Sequence, residues 1–158
     1  MSQFFRSHIF IFAFLFIGCA VSTAPVLTPL EIQSIQTREY EHGKNVAFAS
    51  VISVFQDLGY IVKSADKETG FITAESAAQS DGASRLFGMT NVKQTIATAF
   101  VEPIGKITKI RLNFVNSNQK SFSYGQTDRE DSPILDAKTY QNAFDMIETA
   151  MFVREGGA

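Results

Sequence analysis

The sequence predicts an α+β fold, a two-layer sandwich in which an antiparallel sheet of about five strands carries two amphipathic helices on one face. Residues 45–58 and 137–153 place apolar side chains three and four positions apart, which indicates helices with one apolar face. Between them lie short β-prone runs separated by polar turns, a pattern typical of an antiparallel sheet. Because each helix is apolar on one side only, both helices need an apolar surface to cover.

The first predicted elements of the domain are a strand and a helix. The strand covers residues 32–40, and His42 and Gly43 end it. From residue 46 to 58 the apolar period becomes helical, and Gly59 follows as a C-terminal cap that is free to take a positive φ. The apolar face of this helix consists of Phe48, Val51, Ile52, Phe55 and Leu58.

The predicted sheet is built from further β-prone runs between the two helices. These are residues 60–62, 71–74, 92–101, 107–115 and a further short run at 121–124. The first two form a hairpin around a polar turn that ends at Gly70, and a turn at 103–105 joins the two long runs. One face of the run 107–115 is apolar and the other polar, since Ile110, Leu112 and Phe114 alternate with Lys109, Arg111 and Asn113.

The last predicted element is a helix over residues 137–153. A charged loop at 126–133 precedes it, and Asp136 is placed to cap its N-terminus. Its apolar face consists of Ala137, Tyr140, Phe144, Ile147, Met151 and Val153.

The N-terminal residues predict an export signal rather than a part of the fold. Arg6 and the free amine precede an unbroken apolar run at residues 9–17. That run is about half of the ~20 residues that a membrane-spanning helix needs. Gly18 and Cys19, which follow it, resemble the lipobox of bacterial lipoproteins, although Phe16 stands where Leu is usual.

This resemblance implies that Cys19 is diacylated and becomes the first residue of the mature chain. The chain then consists of a signal peptide (1–18), a lipidated tether (19–30) and a single α+β domain (31–158). The lipid bilayer becomes a partner through the acylated cysteine. Because Ala20 lacks the aspartate that retains lipoproteins in the inner membrane, the outer membrane is favoured. Ordinary secretory cleavage after Ala20 is the alternative, and a further site after Ala24 is weakened by Pro25.

Charge excludes nucleic acid as a predicted partner. Arg6 leaves with the signal, so 13 of the 14 basic side chains remain against 16 acidic ones. A nucleic-acid-binding protein is typically basic, with its lysines and arginines clustered on one face.

The side chains that remain after processing exclude most catalytic chemistry. Cys19 is committed to lipid and is the only cysteine, and His42 is the one histidine outside the signal. A zinc site needs several such ligands, and a nucleophile needs a neighbouring base. The acidic run 128–131 lacks the spacing of a calcium loop, and no glycine-rich phosphate loop is present. We therefore expect no enzyme activity, no catalytic residue, no metal and no cofactor.

Two groups of residues are candidates for contact with a partner. Leu86, Phe87 and Met89 are large apolar residues in a small, polar segment, where they either cap the core or contact a partner. Lys109 and Arg111 lie on the polar side of their strand, and Lys93 is expected on the same open sheet face. That face is either merely solvated or a docking surface.

Several short motifs carry a resemblance to a known family: Thr37-Arg38-Glu39-Tyr40, Gln56-Asp57-Leu58-Gly59-Tyr60, Gly70-Phe71-Ile72-Thr73-Ala74, and Tyr140 with Phe144 and Phe152. They resemble a family of uncharacterised proteobacterial envelope lipoproteins. The order of elements also looks like the helix-grip domains of the C lipoprotein of the outer-membrane β-barrel assembly machine. The resemblance implies a periplasmic scaffold or accessory subunit of an envelope complex, in outer-membrane assembly or secretion, with a protein partner. The alternative is a carrier of a small apolar ligand or lipid between sheet and helices.

Overall fold

The computed structural model describes residues 27–80 and 89–156 and confirms the α+β class, with an antiparallel sheet and helices packed on it. The described helices are α1 (Pro29–Gln36), α2 (Lys44–Asp57) and α3 (Ala137–Arg154). The described strands are β1 (Thr37–Tyr40), β2 (Tyr60–Asp66), β3 (Phe71–Ser76), β4 (Gln79–Ser80), β5 (Met89–Ile104), β6 (Ile107–Phe122) and β7 (Thr127–Pro133). The sheet thus has seven described strands, where about five were expected.

The sheet is organised around the long antiparallel hairpin of β5 and β6, whose strands have 16 residues each. Its order is β1-β6-β5-β3-β2, with β4 added to β5 and β7 added to β6. Both strands are longer than their apolar patterns predicted, because backbone pairing continues where neither face is apolar. The separate strand expected at residues 121–124 is therefore wrong, since β6 runs to Phe122 and Tyr124 lies in the following turn.

Helices α2 and α3 cover the same face of the sheet, as the sequence predicts. The rings of Phe55 on α2 and Tyr140 on α3 both contact Phe114 of β6, with centroids 6.2 Å and 5.2 Å away. Alanines at positions 97 and 99 of β5 lie in the buried core and leave room for the larger helix side chains. The predicted helix ends are confirmed as well: Gly59 has φ of 82° after α2, and Asp136 caps α3.

Helix α1 corrects two expectations, the tether that extends to residue 30 and the strand that begins at residue 32. Thr28 and Glu31 form a capping box: the Glu31 N–H donates to Thr28 Oγ1 at 3.3 Å, and the Thr28 N–H donates to Glu31 Oε2 at 2.7 Å. Pro29 begins the helix with a fixed φ and no N–H to leave unpaired. These local bonds outweigh the weak strand pattern, so extended backbone begins only at Thr37.

Strand β7 corrects the expectation of a charged loop at residues 126–133. It pairs antiparallel with β6 from Thr127 opposite Ser121 to Pro133 opposite Val115. All seven of its residues are exposed, so neither face selects apolar side chains and no alternation marks it in the sequence. Its backbone hydrogen bonds to β6 hold it in the sheet.

Candidate interaction surface

The surface of the sheet that faces away from α2 and α3 is the candidate site, and we call it the open face. Side chains alternate between the two faces along each strand. Buried Ala97, Ala99 and Val101 of β5 point toward the helices, so their neighbours point away from them. The cross-strand register then gives the central part of the open face four rows: Ile61, Glu75, Ile96 and Val115; Ser64, Thr73, Thr98 and Asn113; Asp66, Phe71, Phe100, Arg111 and Thr37; and Glu102, Lys109 and Glu39.

The open face exposes three large apolar side chains at intervals along its strands. Ile61 is 58% exposed and Phe71 54%, and Ile104 at the end of β5 is 43% exposed. The rings of Phe71 and Phe100 pack across adjacent strands with centroids 5.0 Å apart and an interplanar angle of 41°. The ring pair is an apolar patch in which two side chains touch, and such a patch indicates an interaction surface, whereas scattered single residues need no explanation.

A cavity of about 580 Å³ lies on the open face, and we call it the trough. Its apolar lining comes from α1, β5 with the open-face aromatic pair, and the end of β7 with the residues after it: Ile32, Phe71, Ala99, Phe100, Pro133 and Leu135. Its polar lining consists of Gln36, Thr98, Arg111 and Asn113. Arg111 is the one ionisable side chain among these lining residues.

Buried Gln36 connects the trough to the core. Its Nε2 donates to Asn113 Oδ1 at 3.3 Å and to Tyr140 Oη at 3.4 Å, and its Oε1 accepts from Arg111 Nη2 at 3.2 Å. Tyr140 Oη also accepts from the Phe114 N–H at 3.2 Å, where β6 has neither β1 nor β7 beside it. Buried polar groups need such partners, so this network fixes both the sheet edge and the Arg111 guanidinium.

The predicted contact residues do not form one site. Lys109 and Arg111 share the open face as expected, but Lys109 forms an ion pair with Glu102 in the neighbouring row. Met89 is 39% exposed and lies on β5 eleven residues before Phe100, the register partner of Arg111. At about 3.3 Å per residue this separation is roughly 36 Å.

Lys93 was wrongly expected on the open face. Its position along β5 has the same parity as that of buried Ala97, so its side chain lies on the opposite face.

The other predicted contact and anchor residues, Cys19, Leu86 and Phe87, lie outside the described residues. Sequence reasoning missed the aromatic pair and Gln36. The signal for the pair was present in β5, where Phe100 stands between the apolar residues Ala99 and Val101. A strand that is apolar on both faces needs cover on both, and the helices cover only one.

No family model matches the chain, and no curated protein sequence shows significant similarity to it. Among the described residues, no helix has both the length and the apolar character needed to cross a membrane. The same residues contain no group of three or more His, Cys, Asp or Glu side chains that could hold a metal ion. The open face, with its aromatic pair, is the feature from which we infer function.

Proposed function

We propose that this chain is an outer-membrane lipoprotein that faces the periplasm and acts as a non-enzymatic scaffold or accessory subunit of an envelope complex, in outer-membrane assembly or secretion. The observation that carries the proposal is the open face, where the rings of Phe71 and Phe100 pack together, Phe71 is half exposed, and Ile61 and Ile104 at either end are about half exposed as well. Leaving these side chains in water forgoes the free energy of burial, about 25 cal/mol per Å² of apolar surface. A partner that covers these side chains gains that free energy of burial.

The composition of the open face favours a protein partner. Aromatic residues and arginine are enriched at the centres of protein interfaces, and Phe71, Phe100 and Arg111 stand in one cross-strand row. The charges of the adjacent row, Lys109 and Glu102, form an ion pair. Such a face lacks the excess of basic residues that attracts anionic lipid headgroups.

The proposed anchor keeps the domain near the membrane. Eight residue steps separate Cys19 from Leu27, the first described residue. A fully extended chain spans at most about 3.5 Å per residue, so these eight steps cover at most about 28 Å. Ile32 and Gln36 of α1, the helix that follows the tether, line the trough. A partner at the same membrane surface is therefore within reach of the open face.

The carrier alternative has less support, since the space between the layers is filled with side chains. The ring of Phe55 packs against Phe114 and against Tyr60, with centroids 6.2 Å and 5.9 Å away, and Tyr140 closes the other side of Phe114. Besides the trough, one described cavity of about 600 Å³ lies in the groove between α2 and α3. Another, of about 470 Å³, lies on the polar half of the long hairpin.

Site-specific photo-crosslinking in cells tests the proposed docking through the open face. A photoreactive phenylalanine analogue at Phe71 is expected to give a discrete product with one envelope protein. Phe152, which is 61% exposed on α3, is the matched control position and is expected to give none. Crosslinks from position 152 but not from 71, or only intramolecular products at 71, would contradict docking through this face.

A further inference from the structure

We infer that the trough binds a short peptide segment in which an acidic residue is flanked by apolar side chains. This inference rests on the proposed function and names the chemistry of the partner. Its basis is the combination of Arg111, the one ionisable side chain among the described residues that line the trough, with apolar residues on both sides of it. A carboxylate attached to an apolar body complements both features.

Arg111 supplies the charge of the trough. This exposed side chain hydrogen-bonds Gln36 through Nη2, and Gln36 is its hydrogen-bond partner in the described part of the chain. A guanidinium has five N–H donors in a planar fork that matches the two oxygens of a carboxylate. Since Gln36 accepts one of these bonds, the remaining donors are available for a bidentate, charge-assisted pair.

Gln36 acts as a positioning residue for that guanidinium. It is itself buried, with 5% of its surface exposed, and Asn113 and Tyr140 hold its Nε2. Its Oε1 therefore stays directed at Arg111. A donor fixed before binding loses less conformational entropy when the ligand arrives. The capping box that begins α1 also contributes to the trough, because α1 brings both Gln36 and Ile32 to it.

The two sides of the trough supply its apolar contacts. Phe71 and Phe100 form an aromatic pair on β3 and β5, while Ile32 and Leu135 come from segments beside β6. The volume of about 580 Å³ falls in the range of roughly 300–1,000 Å³ that is typical of small-ligand sites. The trough thus accommodates a few side chains of a segment rather than a whole helix.

Charges in the neighbouring row do not line the trough. Lys109 is paired with Glu102, and Glu39 lies opposite Lys109 at the edge strand. This makes Lys109 a matched control for Arg111: both are basic residues of the open face on β6, but only Arg111 lines the cavity.

The test is selection of a phage-displayed library of random heptapeptides on the full chain in detergent micelles, followed by fluorescence anisotropy with the enriched peptides. We expect enriched peptides with Asp or Glu next to aromatic or aliphatic residues. Arg111→Gln is expected to weaken binding at least about tenfold, whereas Lys109→Gln leaves it within about twofold. Replacing the Asp or Glu of the peptide by Asn or Gln is expected to weaken binding by the same factor. With the amide peptide, Arg111→Gln then causes no further loss of affinity. Arg111→Lys keeps the charge but not the planar fork of donors, so its affinity for the peptide is expected to lie between those of the wild type and Arg111→Gln.

The inference is overturned if the enriched peptides lack an acidic residue, if their binding survives Arg111→Gln, or if no peptide is enriched. Unfolding midpoints of the variants establish that each remains folded. The proposed function fails separately, because a discrete crosslink from Phe71 in cells does not depend on an acidic segment. A retained crosslink with Arg111-independent binding would leave docking on the open face intact and reject only the acidic class of partner.

Discussion

Phe144 shows what a single core residue contributes to this fold. It lies on α3, is 2% exposed, and has the guanidinium of Arg38 5.2 Å from its ring centroid. Replacement by alanine removes buried apolar surface and leaves a cavity that the surroundings fill only partly. We expect Phe144→Ala to lower the free energy of unfolding by about 3–5 kcal/mol, measured by urea titration.

The matched control for this prediction is Phe152→Ala on the same helix. Phe152 is 61% exposed, so its removal is expected to change the free energy of unfolding by less than about 1 kcal/mol. Equal effects of the two substitutions would show that α3 does not bury the face that contains Phe144.

Single residues also show which parts of the candidate site were predictable. Strand alternation was sufficient to place Lys109 and Arg111 on one face. Alternation carries no information about partners in other strands or helices. It therefore could not distinguish Lys109, paired with Glu102, from Arg111, which is held by Gln36 across 75 positions of sequence.

The β2–β3 turn depends on a glycine for two separate reasons. Gly70 has φ of 85°, and a Cβ at this position would lie 2.1 Å from the Val101 carbonyl oxygen. Its own carbonyl oxygen accepts a hydrogen bond from the Val101 N–H at 2.9 Å, so the two backbones cannot separate without losing it. We expect Gly70→Ala to lower the free energy of unfolding by about 3 kcal/mol or more, measured by chemical denaturation.

Gly59→Ala isolates the conformational part of that effect. Gly59 has φ of 82°, but in the described part of the chain no heavy atom beyond its chain neighbours lies within 4 Å of the point that a Cβ would occupy, so the left-handed backbone is what opposes the substitution. We expect Gly59→Ala to lower the free energy of unfolding by about 1–2 kcal/mol. A cost for Gly70→Ala no greater than this would mean that close approach to Val101 is unimportant.

The N-terminal cap of α3 gives the stability of this element a pH dependence. Asp136 Oδ2 accepts hydrogen bonds from the Thr139 hydroxyl at 2.7 Å and from the Thr139 N–H at 2.9 Å. These bonds favour the carboxylate and hold the pKa of Asp136 below its ordinary value. A lowered folded-state pKa stabilises the protein above the unfolded-state pKa, about 3.9, and this contribution is lost as pH falls through the folded value.

Asp136→Ser keeps a capping oxygen but removes the titrating group. We expect the urea midpoint of the wild type to fall more steeply than that of the variant as pH decreases below about 5. Asp128→Ser on exposed β7 serves as the control for general loss of negative charge. Parallel pH profiles of wild type and Asp136→Ser would contradict a role for the ionised cap.

Helix α1 and strand β7 were predicted wrongly for different physical reasons. Helix α1 begins with Thr28, Pro29 and Glu31, a start signal that is present in the sequence and that the strand prediction overlooked. Strand β7 has no such local signal, because it is exposed on both faces and exists through its pairing with β6. The start of α1 is therefore specified by local residues, whereas β7 depends on pairing with β6, which its own residues do not reveal.

At the scale of the whole molecule, the arrangement of the layers was predictable, but the order of the strands within the sheet was not. Two helices with apolar faces and a series of β-prone runs predict one sheet covered on one side. The sequence does not show that β1 pairs with β6 rather than with β2. This pairing places Gln36, the residue before β1, beside the open face. The trough thus arises from topology, with lining residues drawn from positions 32 to 135.

The proposed anchor predicts where the whole molecule is found in the cell. Two or three acyl chains at Cys19 give stable attachment, at about 0.8 kcal/mol per buried methylene. We expect Cys19→Ala to move the chain from the membrane to the periplasmic fraction, and the mass of the mature wild-type chain to correspond to an acylated residue 19. Ala20→Asp is the matched variant: the anchor remains, but the chain is expected in the inner membrane. If a secretory peptidase instead cleaves after Ala20, Cys19 is discarded, and Cys19→Ala leaves both the distribution and the mature mass unchanged.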